Sequence, residues 1–92
     1  MIVYAEVEFI IQTAHSLKEK RAVLQRMIKR TKQKFNVSVA EIDFQDVWQR
    51  TRIAVVTVAS AKGAADREMN YALQYLQSNP EWEMLDSWRE YL

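Results

Sequence analysis

VSVAEIDFQDVWQRTRIAVVTVA, residues 37–59, lies between two amphipathic runs and decides the fold. Residues 37–44 (VSVAEIDF) read as a short strand. Gln45-Asp46-Val47-Trp48 reads as a turn. Residues 50–59 (RTRIAVVTVA) are apolar and β-branched, as a well-buried strand requires. Two strands joined by so short a turn form an antiparallel hairpin.

Working outward, residues 2–11 alternate. Val3, Ala5, Val7, Phe9 and Ile11 share one side; Ile2, Tyr4, Glu6, Glu8 and Ile10 share the other, the pattern of a half-buried strand. Ser16-Leu17-Lys18-Glu19 is a capping box that opens a helix. Leu17, Leu24, Met27, Ile28, Thr31 and Phe35 recur at helical spacing and are expected to face the core, with Asn36 as the C-cap. After the hairpin a second helix starts near Gly63. Ala65, Met69, Ala72, Leu73 and Leu76 make its inner stripe, and Asn79-Pro80 stops it. Residues 81–91 (EWEMLDSWREY) alternate as a last strand, with Trp82 and Trp88 expected on one face and Tyr91 on the other.

The order β-α-β-β-α-β predicts an α+β fold, a ferredoxin-like sandwich with two helices on one face of a four-stranded antiparallel sheet. Right-handed crossovers put the first and third strands at the centre and the more charged second and fourth at the edges. Residues 1–92 are expected to form a single such domain. A chain of this length buries roughly 60–65% of the surface its unfolded form exposes. It folds with little margin, and a dimer would help it.

Several function classes are excluded by composition. There is no cysteine, so disulfides and thiolate zinc sites are ruled out, and a cytoplasmic location is favoured. No stretch approaches a membrane span of roughly 20 apolar residues, and the N-terminus carries Glu6 and Glu8 where a signal peptide would not. Gly63 is the only glycine, so a Gly-rich phosphate loop and a nucleophile elbow are both missing. His15, a lone imidazole, makes a poor metal site, and neighbouring Ser16 is needed for capping. No enzyme, metal or cofactor is expected.

The chain nevertheless has a polarised charge. Of 13 cations, eight fall in residues 16–34 against the single acid Glu19, in a chain whose net charge is +1. At 100° per residue Lys18, Arg21, Lys29 and Lys32 cluster opposite the apolar stripe, and Arg26 and Arg30 flank these four cations. Nearly free of acids, this face is not a lattice of i,i+4 pairs. Fixed cations on one face are the footprint of phosphate contacts, which suggests a polyanion such as RNA as partner. The competing reading is a solvated helix face.

The open side of the sheet offers a second surface. Glu6 and Glu8 are expected to pair with Arg50 and Arg52 on the adjacent strand rather than to form an acid–base dyad. Asp43 and Asp46 are expected to serve the turn's own backbone. Trp48 either caps the end of the core or, with Arg50, anchors an interface. Tyr4, Ile10, Trp82 and Trp88 add apolar surface, and a mixed patch of this kind suggests a homodimer that regulates or scaffolds, binding a protein or small ligand. The third strand has no aromatic, so this face lacks the base-stacking signature of an RNA-recognition module.

Three blocks, SLKEKR (16–21), FNVSVAE (35–41) and QDVWQR (45–50), resemble the YlxP-like bacterial proteins, a domain of unknown function numbered 503. The resemblance spans nearly the whole chain. It implies a ferredoxin-like sandwich in a small cytoplasmic protein, from genes that often neighbour transcription and translation factors, a neighbourhood that adds weight to RNA or the ribosome as the partner of the basic helix. It carries over no catalytic residue. Tyr4 stands where a small residue is common, the loop Gln12-Thr13-Ala14 lacks a frequent proline, and Trp88 makes the last strand unusually aromatic.

Overall fold

Alternation along the first segment becomes β1 (Ile2–Ile10), whose inner residues Val3, Ala5, Val7 and Phe9 are wholly buried. In the computed structural model, which describes residues 1–92, it is followed by α1 (Leu17–Lys34), β2 (Ser38–Asp43), β3 (Arg50–Val58), α2 (Lys62–Gln77) and β4 (Glu83–Tyr91). The sheet order is β2-β3-β1-β4, antiparallel throughout. This is the βαββαβ, ferredoxin-like arrangement, with β1 and β3 central as their apolar composition requires.

Between sheet and helices lies one core of 17 residues. Val3, Ala5, Val7, Phe9, Ile53 and Val55 come from the central strands; Val23, Leu24 and Met27 from α1; Ala65, Met69, Ala72 and Leu76 from α2. The expected α2 stripe holds, with Leu73 at its half-buried margin.

The α1 stripe is rotated from expectation. Its buried residues are Lys20, Val23, Leu24, Met27 and Thr31, while Leu17, Ile28 and Phe35 are only half-buried. Leu17 sits at the open end of the helix, and Phe35 lies beyond it. Ser16 caps α1 as expected: its Oγ accepts from the Glu19 N–H at 3.1 Å. Glu19 returns the bond one residue further out, accepting from the His15 N–H at 2.5 Å. At the other end Phe35, not Asn36, is the C-cap, its N–H donating to the Thr31 carbonyl at 3.0 Å. Asn36 is diverted to α2, where its N–H donates to Glu68 at 2.7 Å.

The largest departure is in β4. The strand starts at Glu83, after Trp82, and its pairing with β1 is interrupted between Glu8 and Phe9. Glu8 pairs with Asp86 and Phe9 with Met84, which leaves Leu85 as an extra, bulged residue. One extra residue inverts the side-chain alternation. Trp82 therefore points into the core, stacked on Phe9 with ring centroids 4.2 Å apart. Its indole N–H donates to the Leu76 carbonyl at 2.6 Å. Trp88 points to the open face, where its ring meets Tyr4 edge-on at 5.6 Å. The expectation that Trp82 and Trp88 share a face, and that Trp82 is an interface residue, is thereby corrected.

Candidate nucleic-acid interface

Lys20 shows how α1 divides its cations. Spacing of 20, 24, 27 and 31 places it on the inner stripe, and its side chain is fully removed from water. The ammonium meets Glu41 Oε2 at 2.9 Å and donates to the Phe44 carbonyl at 2.5 Å. Glu41 also accepts from the Thr51 hydroxyl at 2.6 Å. Phe44 is the one non-glycine residue with positive φ (62°), a conformation that orients its carbonyl toward the helix. Asp43 Oδ1 accepts the Phe44 N–H at 2.7 Å, serving its own turn as expected.

A second cation of the run, Arg26, pairs with Glu81, which follows α2. Lys34 lies over the Tyr75 ring of α2, 5.0 Å from its centroid. Arg26 and Lys34 therefore mark the side of α1 that faces α2. About 100° to 180° round the helix from Lys20, in the opposite sense, stand Lys18, Arg21, Lys29 and Lys32. This stripe faces outward on the side of the uncovered β2 edge.

Seven ion pairs hold this molecule's charges, and none involves Lys18, Arg21, Lys29, Arg30, Lys32 or Lys34. All six are exposed. Of the six nucleic-acid candidates, only Arg26 is therefore neutralised within the chain, and it remains partly exposed. The apolar Ile28 floors the stripe, with Gln25, Lys29, Lys32 and Gln33 around it.

On the opposite side of the sheet most charges are paired, Glu90 opposite Tyr4 being an exception. Glu8 faces Arg52 across the β1–β3 ladder. Arg52 donates to Glu6 at 2.7 Å and Glu8 at 3.0 Å, and lies 3.4 Å from Asp86. Arg50 donates to Glu8 at 2.7 Å through Nε, and its guanidinium lies over Phe44. Hydrogen bonding from Arg52, with a further bond from Tyr4, holds the Glu6 carboxyl below the usual range. The bond to Glu6 in turn pushes the Tyr4 hydroxyl up, and its oxygens lie 2.8 Å apart. Both carboxylates are thus committed to cross-strand pairing. No three His, Cys, Asp or Glu side chains converge into a metal-binding group.

The interface candidates are not brought together. Tyr4 and Trp88 touch on the open face, beside Ala40, Ala54 and Val56. Ile10 lies at the far end of β1, half-buried, and Arg50 is held by Glu8. Trp48 sits on the β2–β3 turn, 44% exposed. Lys20 belongs by charge to the basic run but by helical spacing to the inner stripe, and spacing is the signal that finds its buried role.

Residues 2–89 match the model of a family described as protein of unknown function (DUF503). The chain is 48% identical over 83 residues to the uncharacterized protein YlxP of Bacillus subtilis (strain 168), an alignment that covers 90% of each. Among solved structures, the de novo designed protein Foldit4 superposes with a TM-score of 0.61 at 13% identity, covering 100% of this chain and 99% of that one, a likeness of fold alone. The designed protein LFR1 1, with ferredoxin fold, gives a TM-score of 0.47 at 16% identity over 98% of this chain and 83% of its own. No helix is long and apolar enough to cross a membrane.

Proposed function

The chain belongs to the DUF503 family, proteins of unknown function, and from that premise we propose a non-enzymatic binding module whose helix α1 docks on RNA, free or within the ribosome. The observation that carries this reading is the unequal treatment of cations. Arg50, Arg52 and Arg89, all on the sheet, have acidic partners. Six of the eight cations in residues 16–34 have none. Crowding them on one helix costs stability through self-repulsion, a cost that a polyanion reverses by neutralisation and counterion release.

A salt-titrated RNA-binding assay tests it. Affinity should fall steeply with salt, and the triple variant R21Q/K29Q/K32Q should flatten the logarithmic slope by about 2–3. No binding of the wild-type chain at low salt removes the reading.

A second reading, compatible with the first, is a homodimer through the open sheet face. One half of that face is apolar: Ile2, Tyr4, Ala40, Ala54, Val56 and Trp88. In the other half the acids and arginines are already bonded to one another, so a second copy can cover those without burying an unpaired charge, and Glu90, opposite Tyr4 on β4 and without an ionic partner, has to stay at the rim of such an interface. Sedimentation that shows only monomer at high micromolar concentration would count decisively against it.

A further inference from the structure

The three tryptophans differ in what engages them. Trp82 is buried, stacked on Phe9 and hydrogen-bonded to Leu76. Trp88 leans on Tyr4. Trp48, 44% exposed, has no aromatic neighbour, and its indole N–H has no acceptor. The part of its ring left in water is free to stack against a planar partner.

Its position is fixed all the same. Val47 N–H donates to the Phe44 carbonyl at 3.0 Å, and that same carbonyl is held by Lys20 at 2.5 Å. On the other flank the Gln49 carbonyl accepts from the Ile11 N–H at 2.8 Å, and the Gln49 amide donates to the Ala14 carbonyl at 3.1 Å. Trp48 is thus clamped between two anchors, and both tie its turn to the N-terminal end of α1. Lys18 and Arg21 stand within one helical turn of Lys20 at that end. The cationic stripe, running about 21 Å from Lys18 to Lys32, therefore starts at the end of the molecule that carries an exposed aromatic ring held by hydrogen bonds on both flanks.

From this juxtaposition, and resting on the RNA-binding reading above, we infer that the site takes single-stranded rather than duplex RNA, with the phosphates along the α1 stripe and one unpaired base stacked on Trp48. In a duplex the base faces are occupied by their neighbours, and a protein indole has no access to them. A single strand offers both its charge and its π-faces, and a positive track with an aromatic platform is how such strands are held without sequence preference. A preformed platform loses little side-chain entropy on binding.

The test uses the full chain with two probes of matched length, an oligouridylate and a blunt RNA duplex, at low salt. The wild type should favour the single strand. Trp48→Ala should weaken the single strand roughly tenfold and leave the duplex unchanged. Trp48→Phe should restore most of the loss, which separates stacking from a folding defect. In the Trp88→Phe background, where the remaining indoles are buried Trp82 and exposed Trp48, the oligouridylate should quench the emission. If Trp48→Ala binds the single strand as the wild type does, or if wild type binds duplex as tightly as single strand, this inference falls while the α1 reading stands. If neither RNA binds, both fall.

Discussion

Lys20 and Glu41 form the only ion pair in this protein with a fully buried member, Nζ to Oε2 at 2.9 Å, and it joins α1 to the β2–β3 hairpin. Removing one partner of such a pair leaves a charge without compensation. Lys20→Met should cost about 3 kcal/mol, since Glu41 keeps only the Thr51 hydroxyl and a little water. Replacing both, as Lys20→Met with Glu41→Leu, should recover more than half of that. Urea unfolding measures both, and a Lys20→Met loss under about 1 kcal/mol would contradict the burial.

Trp82 should behave as a core residue and Trp48 as a surface one. Trp82→Ala removes the stack on Phe9 and the bond to Leu76, and should cost about 3–5 kcal/mol. Trp82→Phe keeps much of the stack but orphans the carbonyl, for about 1–2 kcal/mol. Trp48→Ala should stay within about 0.5 kcal/mol of wild type. Equal losses at positions 48 and 82 would argue against the bulge at Leu85 that turns Trp82 into the core.

The sheet's open face should respond to acid. Glu6 is held below its ordinary value of 4.5, so its folded-state contribution is complete above that value and is lost as pH falls through the lower, folded one. Melting temperatures taken from neutral pH downward should therefore decline more steeply for wild type than for Glu6→Gln. Tyr4 gives the opposite limb. Its hydroxyl is raised above 10.0, so its contribution is present below that pH and is lost as pH rises through the folded value. Alkaline absorbance titration should show one tyrosine ionising late in wild type and on time in Glu6→Gln.

Unpaired cations on one helix make a prediction about folding itself. Neutralising Arg21, Lys29 and Lys32 together should leave stability unchanged or raise it by a few tenths of a kcal/mol at low salt, with the gain fading as salt is added. Thermal melts at low and high salt read this directly. A marked loss would mean that these side chains have partners within the fold.

Legibility varied with the range of the interaction. The hairpin at 37–59, the strand at 2–11 and the capping box at Ser16 were readable because alternation, helical spacing and capping are set by residues a few positions apart. Glu6 and Glu8 against Arg50 and Arg52 followed as soon as β1 and β3 were adjacent, since direct register then leaves little freedom. Trp82 was not readable. Its face depends on one bulged residue, Leu85, opposite the Glu8–Phe9 step, and a single insertion inverts a period of two.

The candidate site divides in the same way. Sequence alone determined that eight of 13 cations lie on one helix and that most of them face away from the apolar stripe. Only the folded chain decided which remain free, because neutralisation came from acids far along it: Glu41 for Lys20, 21 residues away, and Glu81 for Arg26, 55 residues away. Periodicity belongs to a segment and survives its isolation. Ion pairing and burial belong to the meeting of segments, and they exist only once the core has brought those segments together.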